Sequence, residues 1–113
     1  MMKLITAIVR PSKVDEVKEA VKAAGVVGMT ISDVTGFGRQ FGHKEIYRGA
    51  EYTVEFVPKS KIEILSEDAA AEGIADAIAM AARTDNVGDG KIWISDVASA
   101  VRIRTGERGA DAI

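Results

Sequence analysis

A chain of 113 residues, 47% hydrophobic and 28% charged, has the size of one domain and too much apolar content for a disordered tail. The absence of cysteine excludes disulfides and thiolate metal sites and agrees with a cytoplasmic location. A net charge of −2 excludes a generally basic surface, so direct nucleic-acid binding is not expected and any cationic site must be local. No apolar run approaches the roughly 18 residues of a membrane span, since Ile74–Ala82 is interrupted by Asp76. The N-terminal apolar stretch is too short for a secretory signal.

Lys3 to Val9 is a β-branched run ended by Pro11 and predicts a first strand. Ser12 offers an N-cap, with Asp15 as its capping-box acid, for a helix whose Val14, Val17, Val21 and Ala24 share a face and whose stop is Gly25. A second strand is expected over Met29–Val34, and a third in two parts, Thr53–Val57 and Ile62–Leu65. Ser66 or Asp68 can cap a second helix carrying Ala70, Ile74, Ala77, Ile78 and Ala81 at helical spacing, with Gly73 costing about 1 kcal/mol against alanine. Ile92–Ser95 predicts a fourth strand, and Val101–Arg104 a short further extended piece.

Strand, helix, strand, strand, helix, strand is the α+β, ferredoxin-like βαββαβ arrangement within a single domain, 1–113. Both helices then cover one face of an antiparallel sheet, and self-association is the simple way to cover the other. The connection between the second and third strands is unusual, because hairpin loops have about 2–5 residues. Here the segment from Gly36 to Glu51 interleaves four glycines with Arg39, His43, Lys44, Glu45 and Arg48. It reads as a long flexible loop, spanning 37–55 at its widest, that does not fold on itself and docks on partners.

Gly88-Asp89-Gly90-Lys91 leads into a strand, and two glycines around one residue allow amide N–H groups to form an anion nest that Lys91 reinforces. Arg102 and Arg104, two apart on an extended segment, would point the same way and offer two guanidinium groups to a polyphosphate. The competing reading is a pair of arginines in surface or intersubunit salt bridges; turn and arginines together favour nucleotide phosphate. The turn lacks the P-loop spacing, and Gly36-Phe37-Gly38 lacks the third glycine of a dinucleotide fold. His43 is the only histidine, so a transition-metal site built by the protein is not expected, and no catalytic constellation stands out. The chain does not read as an enzyme.

Gly36-Phe37-Gly38-Arg39-Gln40, Gly42-His43 and Tyr47-Arg48-Gly49-Ala50-Glu51-Tyr52 resemble the loop signature of PII signal-transduction proteins. Gly88-Asp89-Gly90-Lys91-Ile92 and Val101-Arg102-Ile103-Arg104-Thr105-Gly106-Glu107 resemble that family's C-terminal signature, and the likeness runs in register along nearly the whole chain. The resemblance implies a trimer of ferredoxin-like subunits that binds ATP or ADP in the clefts between them. Gly88, Asp89, Gly90 and Lys91 would surround the phosphates, Arg102 and Arg104 would reach in from the adjacent subunit, and Thr30, Gly36, Gly38 and Arg39 would lie near the nucleotide. Gln40 would coordinate the Mg2+ carried by ATP, that ion would chelate 2-oxoglutarate, and Lys59, with Arg10 nearby, would pair with the distal carboxylate.

The resemblance further implies a regulator of nitrogen, carbon and energy status. Its loop would meet an ammonium transporter, a nucleotidyltransferase or a nitrogen-assimilation enzyme or regulator, with membrane contact only through the transporter. Tyr52 matches a site of uridylylation or adenylylation, whereas Ala50 excludes the serine phosphorylation of other relatives. Three departures stand out: Ser12 for phenylalanine, Phe41 for lysine, and Thr84-Asp85-Asn86-Val87 for Thr-Gly-Lys-Ile. Two rivals differ in class. A ferredoxin-like small-molecule-binding module would bind effectors without nucleotide, and a nucleotide-hydrolysing enzyme would turn ATP over.

Overall fold

The computed structural model describes residues 2–37, 44–47, 50–53 and 56–113; for 44–47 and 50–53 the backbone alone is described. Strand β1 (Met2–Val9) leads through a 3-10 turn, Pro11–Lys13, into helix α1 (Val14–Ala23) and strand β2 (Thr30–Gly36). Strands β3 (Lys44–Tyr47), β4 (Ala50–Thr53) and β5 (Val57–Glu67) follow, then helix α2 (Asp68–Ala82) and strand β6 (Lys91–Val97).

The four long strands form one antiparallel sheet in the order β2-β5-β1-β6, the ferredoxin-like topology the element order predicts. Directly opposed residues share a face, so Ile5 with Ile64 and Ile94, and Ala7 with Ile62 and Ile92, form rungs on the helix side. Val17 and Val21 of α1 and Ala71, Ile74, Ile78 and Ala82 of α2 complete the core there. The opposite face carries the alternate residues, among them Leu4 opposite Leu65, and Thr6 between Glu63 and Trp93. Leu65 and Trp93 are left partly open to solvent in the single chain.

The helix ends differ from expectation. Pro11 opens the 3-10 turn, with its fixed φ suited to the first helical position, so Ser12 lies within the turn and Lys13 stands at the cap of α1 with no side-chain capping bond. Glu67, not Ser66 or Asp68, precedes α2, and the Ser66 hydroxyl donates to the Glu67 carbonyl. Gly25 does stop α1. At φ 96° it lets its own N–H reach the Lys22 carbonyl and the Val26 N–H reach that of Val21, satisfying two end carbonyls.

Two other expectations need correction. Of the third strand's two expected parts, Ile62–Leu65 lies within β5, which begins at Val57 and includes Pro58 to Lys61, whereas Thr53 ends β4 and residues 54 and 55 lie outside the described residues. Pro58 is tolerated next to the strand's start, opposite Thr35. The segment expected to stay unfolded contains β3 and β4, which pair antiparallel from Lys44 opposite Thr53 to Tyr47 opposite Ala50. Backbone hydrogen bonding between two strands needs little apolar content, and composition alone hid it.

Candidate functional site

Four predicted site residues meet at one end of the sheet. Arg10 follows the last residue of β1, Lys59 lies near the start of β5, and the turn before β6 carries Gly88 and Asp89. The Lys59 ammonium donates to the Gly88 carbonyl at 2.6 Å, and the Arg10 guanidinium donates to the Val87 carbonyl at 2.8 Å and to Asp89 Oδ1 at 3.2 Å. Lys59 sits opposite Val34 of β2, so the entry to the long connection at Gly36 belongs to the same end. Burial pushes the Lys59 ammonium below the ordinary lysine range, and the positive charge of Arg10 adds to the effect while Asp89 opposes it. Two crowded cations beside exposed carbonyls are suited to an anion that neutralises them.

The glycines of the turn are required. Gly88 and Gly90 have φ of 104° and 100°, a region that side chains avoid. A Cβ on Gly90 would fall 1.7 Å from the Ile8 carbonyl oxygen, so the turn lies against the end of β1 as only glycine permits. Lys91 then begins β6 opposite Ile8, exposed.

Asp89 is turned inward. Its carboxylate accepts from the Thr84 amide at 2.7 Å, the Asp85 amide at 2.9 Å, the Thr84 hydroxyl and Arg10. The Thr84 hydroxyl and amide, with Arg10 and the Asp85 amide, hold this carboxyl well below the usual carboxylate range. Asp85 itself has φ 68°, a left-handed conformation that aspartate tolerates better than most residues, and its side chain pairs with Arg83. The departure at Thr84–Val87 is therefore accommodated by local hydrogen bonds.

Arg102 lies elsewhere. Strand β6 runs from Lys91 beside Ile8 to Val97 beside Met2, roughly 20 Å at strand rise, and Arg102 follows its far end. There Arg102 donates to Glu107 Oε1 at 3.0 Å and to the Ile113 carbonyl at 2.8 Å. Ile113 lines a cleft of about 940 Å³ with Leu4, Met29, Thr30, Leu65 and Val97. Among the described residues, Thr30 is the only predicted site residue on that cleft. The extended segment expected over Val101–Arg104 is not formed. Residues 103–105 make a turn, closed by a bridge between Val101 and Arg108 and by the Gly106 amide donating to the Arg102 carbonyl. The alternation argument for Arg102 and Arg104 therefore fails, because Gly106 at φ 75° lets the chain reverse. At the tip Ile103 is 97% exposed.

Gly38, Arg39, Gln40, Phe41 and His43 lie outside the described residues, and Tyr52 is placed only by its backbone in β4, opposite Glu45. Sequence reasoning missed Thr84 and the inward role of Asp89. The signal available was a threonine five residues before an aspartate in a glycine-flanked turn, a spacing that allows a side chain to close the loop.

The family model described as "Nitrogen regulatory protein P-II" matches residues 2–107. The chain belongs to the P-II family. Nitrogen regulatory protein P-II of Cereibacter sphaeroides is 58% identical over 112 residues, covering 99% of this chain and all of the relative. The P-II proteins of Azospirillum brasilense and Rhizobium meliloti are 55% and 54% identical over the same length. Arabidopsis thaliana PII, solved bound to citrate, superposes with a TM-score of 0.82 at 37% identity, over 99% of this chain and 92% of that one. The family model and these curated relatives carry the name of nitrogen regulatory proteins. Among the described residues no helix is long and apolar enough to cross a membrane.

Proposed function

We propose that this P-II protein is a non-enzymatic cytoplasmic sensor that assembles as a trimer and binds ATP or ADP between subunits. With Mg-ATP it takes 2-oxoglutarate, and it signals through the segment 37–55. The observation that carries the reading is the separation of Lys91 from Arg102 along β6, the strand that joins them. One chain holds the glycine turn and Lys91 at one end and the arginine turn at the other, so a second copy must supply the missing half. The partly open Leu65 and Trp93 on the uncovered sheet face favour such association.

Within each site, amides of Gly88 to Gly90 and the Lys91 ammonium would hold phosphate oxygens, with Arg102 and Arg104 from the neighbour. Thr30, Gly36, Gly38 and Arg39 would contact the rest of the nucleotide. Gln40 and oxygens of the ligands would hold magnesium, which supplies a hard cation bridging two anions that otherwise repel. Arg10 and Lys59 would meet the distal carboxylate of 2-oxoglutarate. The Arabidopsis relative's citrate, a tricarboxylate, accords with an anion-binding role and also with the rival module that takes a carboxylate without nucleotide.

Partners would be an ammonium transporter, a nucleotidyltransferase or a nitrogen-assimilation enzyme, and Tyr52 would be the residue a nucleotidyltransferase modifies. Intact-mass measurement of the protein from nitrogen-starved and nitrogen-replete cells tests the modification; unmodified Tyr52 in both would reduce it to a binding contact. Calorimetric titration tests the site. ATP and ADP should compete, and 2-oxoglutarate should bind only with ATP and magnesium present. Tight 2-oxoglutarate binding to nucleotide-free protein would establish the rival instead, and steady hydrolysis of ATP at the roughly 1–1000 per second of enzymes would make the chain a hydrolase.

A further inference from the structure

We infer that Asp89 is a positioning residue whose carboxylate fastens the phosphate turn to the effector cation Arg10, the side chain itself touching neither ligand. The inference rests on the nucleotide reading above and deepens it.

Both carboxylate oxygens are fully used. Oδ1 accepts from the Thr84 hydroxyl and from Arg10 Nε, and Oδ2 accepts from the amides of Thr84 and Asp85. A carboxylate offers about four acceptor sites, so none remains for magnesium or a ribose hydroxyl. Its charge would also repel phosphate, so the place of Asp89 in the site is through its main chain. The turn it closes is reinforced by its own amide, which donates to the Asn86 carbonyl at 3.3 Å. Gly88 and Gly90 on either side, both at positive φ, give the backbone the freedom to turn this side chain inward.

Arg10 grips the same turn twice, at Asp89 and at the Val87 carbonyl, while Lys59 holds the Gly88 carbonyl between them. An anion that draws Arg10 or Lys59 away from these partners therefore acts on the backbone that holds the phosphates. Among the described residues, Asp89 is the one side chain bonded both to the body of the turn, at Thr84 and Asp85, and to Arg10. It is the element through which occupation of the effector position reaches the nucleotide, a coupling that works equally in the reverse direction.

The test uses the full-length protein and titrates ATP with and without saturating 2-oxoglutarate and magnesium. Asp89→Asn keeps the shape but turns an NH2 group toward donors, so ATP should bind about ten- to hundredfold more weakly. The factor by which 2-oxoglutarate tightens ATP should fall to about one. Thr84→Val removes one donor and leaves the Arg10 bond, so it should weaken ATP several-fold and keep the coupling. The losses of 2-oxoglutarate affinity in Asp89→Asn and Arg10→Gln should not add in the double variant, a result that general loosening of the turn would not give. If Asp89→Asn fails to fold, Thr84→Val and the amide exchange of Thr84 and Asp85 in the parent decide. Protected amides with coupling kept in Thr84→Val support the role; freely exchanging amides overturn it. Parent-like ATP affinity and coupling in Asp89→Asn also overturn it, with the nucleotide reading intact. A parent that binds no ATP at all removes that reading, and this role with it.

Discussion

The two ends of the sheet handle positive charge differently. At the Arg10–Lys59 end, cations donate to main-chain carbonyls of a turn whose Gly90 leaves no room for a Cβ. At the Arg102 end, the guanidinium is held by Glu107 and the chain's last carbonyl, on a turn with space around its glycine. In the proposed site the first end would receive an anion, and the second would supply cations to a neighbouring copy. Neither is a complete phosphate site, and the complementarity of the two is what a repeated copy can exploit.

The comparison breaks most visibly at the glycines. Gly90→Ala combines a left-handed φ with a Cβ placed on the Ile8 carbonyl, and should destabilise the fold by on the order of 3 kcal/mol or more. Gly106→Ala carries the same kind of φ with nothing within 4 Å of the new Cβ, and should cost only about 1–2 kcal/mol. Urea denaturation of both variants checks the difference; equal losses would mean that the first turn is not packed as described.

Next in size are the ligand cations, one from each end. Lys91→Ala and Arg102→Ala should each weaken ATP and ADP by about ten- to hundredfold, as expected for loss of a charge-assisted bond worth 1.5–3 kcal/mol. Calorimetry that returns parent affinity for either variant removes that residue from the phosphate site. Lys59→Ala and Gln40→Ala should lose 2-oxoglutarate while keeping ADP. Loss of ADP in Lys59→Ala would mean that its bond to the Gly88 carbonyl matters more to the turn than to the effector.

Sequence showed the sheet and helices because their apolar residues recur at the periods of a strand and a helix, as in Ile5, Ala7 and Val9 or Ile74 and Ile78. It misplaced both helix caps, since Pro11 sets the turn before α1 by its fixed φ and Glu67 precedes α2 by backbone shape alone. It left Pro58–Lys61 out of the third strand, where polar residues interrupt the apolar pattern although Ser60 is buried, and it assigned to that strand Thr53, which ends β4. The cations Lys91 and Arg102 were legible as residue types, and Arg10 and Lys59 only through the family resemblance. Their distribution over two ends was not, because it depends on the direction of β6. The inward turn of Asp89 was hidden for a similar reason: a Gly-Asp-Gly string does not say which way its carboxylate faces.

The smallest expected effect is on the acid limb of stability. The Asp89 carboxyl is depressed in the folded state below its ordinary value of 3.8, so its contribution is fully present above that pH and is lost as the pH falls through the folded value. Asp89→Asn should therefore flatten the stability profile in acid and leave its slope near neutrality unchanged. Lys59, also depressed, acts on the alkaline side with the opposite balance. Its charged form is the disfavoured one, so stability rises with pH through the window just below 10.5. Lys59→Met should remove that rise. Chemical denaturation across pH measures both, and unchanged profiles in the variants would assign the slopes to other groups.

The central claim is that one nucleotide site is made from opposite ends of two different chains, and subunit mixing tests it most directly. Lys91→Ala and Arg102→Ala proteins are prepared separately, then unfolded and refolded together, and ATP binding is measured by calorimetry. If the site is shared, a mixed trimer contains one interface in which an intact Lys91 meets an intact Arg102. Tight ATP binding should then reappear in the mixture although neither parent variant shows it. If the refolded mixture contains mixed trimers and still binds ATP only as weakly as the two variants alone, the two cations do not act across a subunit boundary, and the shared site is contradicted.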